Sequence, residues 1–336
     1  MVEIVTRPHA SNFANWASTR NEVVVLSGDL TKNCEADAFR DQFPSRFFNG
    51  GLSEQNMLSV AGGLAREGYT PFVYTFGVFI YRRAMDQLQM SIAYPNLRVR
   101  LLGFLPGLST PGGVSHQAID DIALMSTLPN MNVISVGDAT DVETVLTETE
   151  AINGPVYISM LRGQVPRLFP KNEPLVFKSA RTLSHGTDLA IFSCGALTEN
   201  TMRVVVALRK KGVSVSHLHI STLKPFDDPR VEQAIRSARA GVITVENHLV
   251  RGGLGTAVAE LMAEKAIGKP LRRVGLRDTY GHGGSFAYLQ RYYQIDGHAT
   301  LREAEFLLGQ HLDITEVDLD SARLEPEHGA HKPEAL

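Results

Sequence analysis

Cysteine is scarce in this sequence of 336 residues: only Cys34 and Cys194 are present, and they lack the CxxC spacing of a metal-binding or redox pair. Two cysteines are too few for a disulfide framework, which excludes the small disulfide-stabilised folds. The ordinary role left for them is that of buried thiols. We therefore expect both side chains to lie in the interior.

The sequence also lacks an excess of charge of either sign, because 33 basic residues stand against 36 acidic residues, for a formal net charge of −3. This balance does not favour binding to nucleic acid or to an anionic membrane. No apolar run approaches the roughly 20 residues of a spanning helix, and the first residues have no apolar core of the signal-peptide type. These absences predict a cytoplasmic protein.

Short β-branched runs alternate with longer helical segments along the chain. In the first half the runs are typical of strands buried on both faces of a sheet, at 22–27, 71–76, 97–103, 132–136 and 155–161. Helices are predicted between them, near 53–66, 78–92, 116–128 and 140–151. Strand–helix alternation predicts an open, mainly parallel α/β sheet.

The chain is longer than the roughly 250 to 300 residues at which a single core stops growing, so two domains are expected. The second half repeats the alternation, with strands predicted at 188–194, 213–220, 241–247 and 271–277. The fold class is therefore two consecutive open, mainly parallel α/β sheet domains, 1–168 and 188–312. The polar, proline-containing stretch 169–187 is interpreted as a linker, and the acidic end, 313–336, as a disordered tail.

Glu54 follows a Gly50–Gly51 turn and begins a predicted helix. A carboxylate at a helix N-terminus is stabilised by the macrodipole, by about 0.3 to 1 kcal/mol, so its position has an ordinary structural explanation. Phe76 and Phe79 are three residues apart, a spacing more typical of core packing than of a cofactor wall. Taken singly, none of these residues predicts chemistry.

The remaining polar motifs are also open to structural explanations. His116 lies in a glycine-rich turn before a predicted helix, a place suited to capping or catalytic groups. Arg162 ends a strand, at the edge where open parallel sheets bind ligands. The stretch NHLVRGGLGTAVAEL lacks the third glycine of a dinucleotide fingerprint, and we interpret it as a tight turn. His217 and His219 share a strand face without a third ligand nearby, so no metal site is predicted.

The order of the motifs is more informative than any one of them. SGDLT, GLSEQNM and TFGVFIYRRAMDQ come first, then GGVSHQAIDDIALMSTLPNMNVISVGDATD, GPVYISMLRGQ, HISTLKPFD and VITVENHLVRGGLG. This series resembles the pyrimidine-binding and C-terminal domains of transketolase-type thiamine diphosphate enzymes. The resemblance extends over nearly the whole chain. It implies a pyrimidine-binding domain over 1–168 and a transketolase C-terminal domain over 188–312.

The resemblance implies a role at the cofactor, thiamine diphosphate, for four residues. Glu54 matches the glutamate that hydrogen-bonds a ring nitrogen of the cofactor's aminopyrimidine and so activates it by acid–base tuning. Phe76 and Phe79 match the aromatic side chains that stack on the pyrimidine and exclude water. Asp29 matches an acidic residue placed near the cofactor.

The resemblance implies that four further residues contact the substrate. His116 matches the histidine that handles hydroxyl protons of the substrate, and Arg162 matches an arginine that binds a substrate anion by forked hydrogen bonds. Phe104 and Gly112 stand where many transketolases have a histidine and an acid that contact the substrate. Because lost hydrogen-bonding partners change substrate preference, the donor is not expected to be an ordinary pentulose or hexulose phosphate.

One family motif is missing. In the family, Gly-Asp-Gly holds the cofactor's diphosphate and a divalent metal, and the sequence contains no Gly-Asp-Gly. The chain is therefore expected to be the C-terminal subunit of a split transketolase and to be inert alone. Its expected partner is an N-terminal subunit that carries this motif and binds Mg²⁺ or Ca²⁺, with two copies of each chain in a heterotetramer. No metal ligand is expected in the present chain.

The sequence thus predicts a transketolase subunit that transfers a two-carbon ketol unit from a ketose or ketose-like donor, phosphorylated or not, to an aldehyde acceptor. Two alternatives stay open: the β subunit of the decarboxylating component of a 2-oxo acid dehydrogenase, and a non-catalytic regulatory subunit. Retention of Glu54 with both phenylalanines argues against the non-catalytic alternative. The alignment also leaves open whether Arg82 or Arg83 faces the site.

Overall fold

A computed structural model of the chain describes residues 2–322 and residue 324. Most of its strands follow the apolar runs, because β-branched and aromatic side chains pack well in sheets that are buried on both faces. The strands are β1 Glu3–Thr6, β2 Val23–Ser27, β3 Phe47–Asn49, β4 Thr70–Phe76, β5 Arg100–Phe104, β6 Asn132–Ser135, β7 Val156–Met160, β8 Gln164–Arg167, β9 Arg181–Ser184, β10 Leu189–Ser193, β11 Val215–His219, β12 Thr222–Lys224, β13 Gly241–Leu249 and β14 Leu271–Leu276.

The helices connect the strands and cover the sheets. They are α1 Pro8–Ala17, α2 Asp37–Gln42, α3 Glu54–Arg66, α4 Gly77–Gln87, α5 Asp121–Thr127, α6 Ala139–Glu150, α7 Thr198–Lys210, α8 Pro229–Ser237, α9 Leu254–Glu264, α10 Phe286–Tyr292, α11 Gly297–Leu308 and α12 Glu316–Asp320. The predicted helix over 78–92 is not uniform, since α4 is kinked at Ala84 and continues as a π-helical segment, Leu88–Ala93. None of the helices in the described part of the chain combines the length and apolar character needed to cross a membrane.

Seven strands form the first sheet, in the order β12-β6-β7-β5-β4-β2-β3. All neighbouring strands are parallel except the edge pair of β12 with β6. The strands β4, β5 and β7 end in register, with Phe76 opposite Phe104 and Phe104 opposite Met160. Their carboxyl ends therefore lie along one edge, where open parallel sheets bind ligands.

The second sheet has the order β14-β13-β10-β11-β9 and is parallel except for β9. A separate antiparallel pair joins β1 to β8. The prediction of two consecutive, mainly parallel α/β sheets is confirmed. Cys34 and Cys194 are free and buried, as expected.

Several short strands were not expected from the sequence, and two of them change how the halves of the chain are read. The strand β12 comes from the second half of the chain but pairs with β6 of the first sheet. The strand β9 lies within the expected linker, 169–187, and pairs with β11. Strands of three or four residues carry too little alternation to be recognised by period. The domain limits 1–168 and 188–312 stay predictions.

The helix predicted over 116–128 begins only at Asp121. Gly113 has φ +70°, outside the helical range, and the Ile119 carbonyl accepts a hydrogen bond from Leu249 N at 2.8 Å. The backbone before Asp121 is therefore used to join the two halves of the chain, and it is not available to a helix.

The tail 313–336 was expected to be disordered, but its first residues are ordered in the structure. The helix α12 begins with a reciprocal capping box between Thr315 and Asp318, and the side chain of Leu319 is buried. Such a cap satisfies backbone N–H groups that would otherwise lack partners. Residues 323 and 325–336 lie outside the described residues.

Two buried histidines make the stability of this fold depend on pH. Burial lowers the pKa of His9 and of His217 from 6.5 to about 3. His217 Nε2 lies 2.8 Å from the Ser193 hydroxyl, with which it forms a hydrogen bond. As the pH falls, the unfolded chain binds these protons before the folded chain does, so stability is lost from pH 6.5 towards pH 3.

We expect the free energy of unfolding to fall by about 1.4 kcal/mol per pH unit for each of these histidines within that window. The substitution His217→Gln should remove one such contribution to the slope. Urea titrations of wild type and variant at several pH values below 6.5 measure it. Equal slopes would contradict the prediction, and His185→Gln, which removes an exposed imidazole, is the control.

Candidate active site at the edge of the first sheet

Glu54 is placed at the carboxyl edge of the first sheet by the turn between β3 and α3. Gly50 N donates to the Ser27 carbonyl at 2.9 Å, and Gly51 has φ +67°, a conformation that favours glycine. A Cβ atom on Gly50 would lie 2.5 Å from the Met57 side chain, so a larger residue would not fit without a shift. Glu54 is the first residue of α3 and is only 3% exposed.

Three aromatic rings meet at this edge. Phe76 ends β4 and Phe79 lies in the first turn of α4, with their ring centroids 5.9 Å apart. The His116 ring approaches both edge-on, at 6.0 Å from the Phe76 centroid and 5.5 Å from the Phe79 centroid. The structure therefore brings together three side chains that the sequence analysis assigned to the cofactor and the substrate.

Arg83 links Glu54 to this aromatic wall. Its Nη1 donates to Glu54 Oε1 at 3.0 Å, and its guanidinium carbon lies 4.0 Å from the Phe79 ring centroid. Arg82 instead donates to three acceptors in the segment between β5 and α5, which are the carbonyls of Val114 and Gln117 and the carboxylate of Asp120. Of the two arginines, Arg83 is the one that contacts predicted site residues.

Arg162 approaches the wall from the end of β7. Its guanidinium carbon lies 5.8 Å from the Phe76 ring centroid. The next residue is fixed by Glu35, whose Oε1 accepts a hydrogen bond from Gly163 N at 2.7 Å and whose pKa is raised by burial. Arg162 Nε is buried and has no hydrogen-bond partner within the described residues. An orphan donor of this kind is expected where a ligand or water completes the hydrogen bonding.

Asp29 and Gly112 border the same region. Asp29 is exposed beyond the end of β2 and accepts a hydrogen bond from Asn49 Nδ2 at 3.3 Å. Asn49 Oδ1 in turn accepts from Gly51 N at 3.0 Å, in the turn that places Glu54. A Cβ atom on Gly112 would lie 3.1 Å from the His116 side chain, which is a tight contact, so a larger residue here would require the imidazole to shift.

Phe104 does not join these residues. Its side chain is fully buried, and its ring packs against His9 and Tyr74, with centroids 5.9 and 6.1 Å away. The strand β5 lies in the middle of the sheet, so an aromatic side chain at its end can fill the core. The structure therefore does not bring Phe104 to the aromatic wall, and the substrate contact expected there stays a prediction.

The segment 105–120, which carries His116, is held by the second domain. Asn247 Oδ1 accepts a hydrogen bond from Leu108 N, and Asn247 Nδ2 donates to the Pro106 carbonyl, both at 3.0 Å. Gln117 Nε2 donates to the carbonyl of His282 at 3.0 Å. Sequence reasoning missed these contacts, because nothing local to Asn247 shows that it meets a segment over a hundred residues away.

The stretch after Asn247 is the tight turn that the sequence predicted. Gly252 has φ +76°, and the Glu246 carboxylate accepts hydrogen bonds at 2.8 Å from the backbone N–H groups of Leu254 and Gly255. A carboxylate at this position satisfies the free N–H groups at the start of α9. Burial raises the pKa of Glu246.

The two histidines of β11, His217 and His219, also form hydrogen bonds with other side chains. His219 Nε2 lies 3.0 Å from Asp141 Oδ2, and its Nδ1 lies 2.9 Å from the Thr198 hydroxyl. In the part of the chain that the structure describes, no group of three or more His, Cys, Asp or Glu side chains is arranged to hold a metal ion.

Comparison with known families agrees with this geometry. Residues 9–167 match the family described as "Transketolase, pyrimidine binding domain", and residues 178–299 match "Transketolase, C-terminal domain". The first domain is thus of the class that binds the pyrimidine of thiamine diphosphate. The chain belongs to the transketolase family, among the subunits that correspond to its C-terminal half.

Several relatives align with this chain over most of the length of both proteins. A 6-deoxy-6-sulfo-D-fructose transketolase subunit from Clostridium sp. is 34% identical over 86% of this chain and 89% of its own length. An apulose-4-phosphate transketolase subunit from Phocaeicola vulgatus is 29% identical over 81% of this chain and 87% of its own length. A solved structure described as "Split gene transketolase, inactive beta4 tetramer" is 33% identical, with a TM-score of 0.81, over 90% of this chain and 97% of that one.

The role of Asn247 in holding segment 105–120 can be tested with the substitution Asn247→Leu. This substitution leaves Leu108 N and the Pro106 carbonyl without their partner, at a cost of about 1 to 3 kcal/mol for a buried polar group. We expect faster amide hydrogen exchange in peptides covering 105–120. The control is Asn200→Leu, which removes an amide that bonds Gln290. Unchanged exchange in Asn247→Leu would show that the segment does not depend on Asn247.

Proposed function

We propose that this chain is the pyrimidine-binding subunit of a thiamine diphosphate-dependent transketolase, which transfers a two-carbon ketol unit from a ketose-like donor to an aldehyde. The observation that carries the proposal is the buried carboxylate of Glu54, joined through Arg83 to the aromatic wall of Phe76 and Phe79. A scaffold subunit has no need of a buried acid next to such a wall. The family relationship supports the same assignment.

The residues at this edge fit the cofactor's aminopyrimidine. Phe76 and Phe79 offer apolar ring faces for stacking, and Glu54 offers a carboxyl group, shielded from water, to a ring nitrogen. The bound cofactor would supply the carbanion chemistry that amino-acid side chains lack. The role of Glu54 is to share a proton with the pyrimidine ring, and the role of the wall is to exclude water. Asp29, next to the turn, would lie near the cofactor.

His116 and Arg162 are proposed to bind the donor. His116 is partly exposed against the aromatic wall, where it can move protons at substrate hydroxyl groups. The orphan Nε of Arg162 supports a role in binding an anionic group of the substrate. The names of the Clostridium and Phocaeicola relatives specify a sulfo sugar and a sugar phosphate, both anionic. We therefore propose a donor that carries an anionic group.

The partner is proposed to be a second polypeptide that carries Gly-Asp-Gly and holds the cofactor's diphosphate together with Mg²⁺ or Ca²⁺. This chain contains no such motif, and the split-gene relative is described as inactive in an assembly of β subunits alone. An active assembly would contain two copies of each chain. In it, the cofactor would lie between the two kinds of subunit.

The acid role of Glu54 is tested by Glu54→Gln in the complex with the partner subunit. Glutamine keeps the size and one hydrogen bond but cannot share a proton. Exchange of the cofactor's acidic carbon-bound proton and turnover should then fall together, by a factor on the order of 100 to 10,000. The exchange is followed by NMR after acid quench.

Glu67→Gln is the matched control, because Glu67 directly follows the same helix and is exposed. It should leave the exchange rate unchanged. If a well-assembled Glu54→Gln complex exchanged at the wild-type rate, Glu54 would be only a helix-end carboxylate, worth under about 1 kcal/mol. The proposed mechanism would then have to be abandoned.

Donor preference is expected to depend on Gly112. Gly112→Asp adds a carboxylate next to His116, whose side chain must shift slightly to make room for the added Cβ atom. The ratio of kcat/KM values across a panel of phosphorylated and unphosphorylated ketoses should change, because a charged acceptor near the substrate favours donors with free hydroxyls. Gly112→Asn adds similar bulk without the charge and should shift the ratio less. An unchanged ratio in Gly112→Asp would mean that this position does not face the donor.

A further inference from the structure

Arg83 gives Glu54 a partner that the proposed reaction does not use. Within residues 2–322, the Glu54 carboxylate accepts one hydrogen bond, which comes from Arg83 Nη1 at 3.0 Å. An ionised carboxylate that is buried without a partner is strongly unfavourable. In the cofactor-free chain, Arg83 therefore stabilises the carboxylate on which the proposed chemistry depends.

The same guanidinium covers part of the aromatic wall. It lies 4.0 Å from the centroid of Phe79, well within the roughly 6 Å at which a cation is attracted to a ring face. One side chain thus contacts both groups that the proposed function assigns to the pyrimidine, the acid Glu54 and the ring of Phe79. An aminopyrimidine and the Arg83 guanidinium would compete for them.

Arg83 is not fixed in this position by other contacts. Its side chain is 48% exposed, so water screens the pair and can solvate the guanidinium once a ligand takes its place at the Glu54 carboxylate. Its neighbour Arg82 differs, since it is hydrogen-bonded to three acceptors of the segment 105–120. Arg83 can therefore turn into solvent without breaking any other hydrogen bond that the described structure contains.

We propose that Arg83 is a placeholder for the cofactor's aminopyrimidine, which keeps Glu54 and Phe79 covered in the cofactor-free chain and leaves them when the pyrimidine binds. The inference rests on the proposed function of Glu54. A site that must first be vacated binds its ligand more weakly, in proportion to the fraction of molecules in which it is free. Removal of Arg83 should therefore have two effects of opposite sign, lower stability of the free chain and tighter binding of the cofactor.

The first effect is measured on the full chain alone. Urea denaturation of wild type, Arg83→Ala, Glu54→Gln and the double variant forms a double-mutant cycle. Arg83→Ala should raise the unfolding equilibrium constant by about five-fold, the equivalent of a contact of roughly 1 kcal/mol. In the Glu54→Gln background the same substitution should have a smaller effect, since the charge pair is gone and only a neutral hydrogen bond and the contact with Phe79 are left to lose. Equal effects in both backgrounds would overturn the placeholder role.

The second effect is measured by calorimetric titration of thiamine diphosphate and Mg²⁺ into the complex with the partner subunit. We expect Arg83→Ala to lower the Kd about five-fold, the same factor as in the free chain. Arg82→Ala is the matched control, the adjacent residue of the same type with contacts elsewhere, and it should leave the Kd unchanged. Arg83→Gln replaces the alanine variant if that variant does not fold.

The outcomes separate this inference from the proposed function. If the wild-type complex binds the cofactor and Arg83→Ala binds it equally or more weakly, Arg83 is not a placeholder, and the assignment of Glu54 is unaffected. If the wild-type complex does not bind the cofactor at all, the proposed function fails and the inference fails with it. Tighter binding by Arg83→Ala, with an unchanged Arg82→Ala, supports both.

Discussion

The candidate site depends on the register of three parallel strands. Because β4, β5 and β7 end together, Phe76 and the residue pair Leu161–Arg162 emerge at one edge of the sheet. The helix α4 then returns Phe79 and Arg83 to the same edge, where Arg83 meets Glu54. A slip of one residue in any of these pairings would move every following side chain to the opposite face.

The second domain contributes to this site without placing a predicted catalytic residue in it. Asn247 and the backbone of His282 hold the segment that carries His116. The two halves of the chain are further joined by the pairing of β12 with the first sheet and by the buried contact of His219 with Asp141. We infer that the C-terminal domain positions the segment that carries His116, so that a substitution far from the sheet edge can alter the candidate site.

The features that could be predicted from the sequence are those that depend on neighbouring residues or on a repeated pattern. Strands buried on both faces are continuous apolar runs, and Glu54 stands in a motif whose order with the others indicated the family. The sequence could not predict β12, since three residues carry no period, nor the burial of Phe104, which depends on the neighbours of β5 in the sheet. The pairing of Arg83 with Glu54 was also out of reach, because it depends on the angle at which α4 leaves the strand. These contacts are set by tertiary structure.

The central claim is that this chain provides half of a two-chain, thiamine diphosphate-dependent transketolase. The most direct test is ketol transfer to an aldehyde acceptor, assayed with thiamine diphosphate and Mg²⁺ in the presence and absence of the partner that carries Gly-Asp-Gly. The account predicts transfer only when both chains are present, with no release of carbon dioxide from a 2-oxo acid. Full activity of this chain alone, or decarboxylation of a 2-oxo acid without ketol transfer, would contradict it.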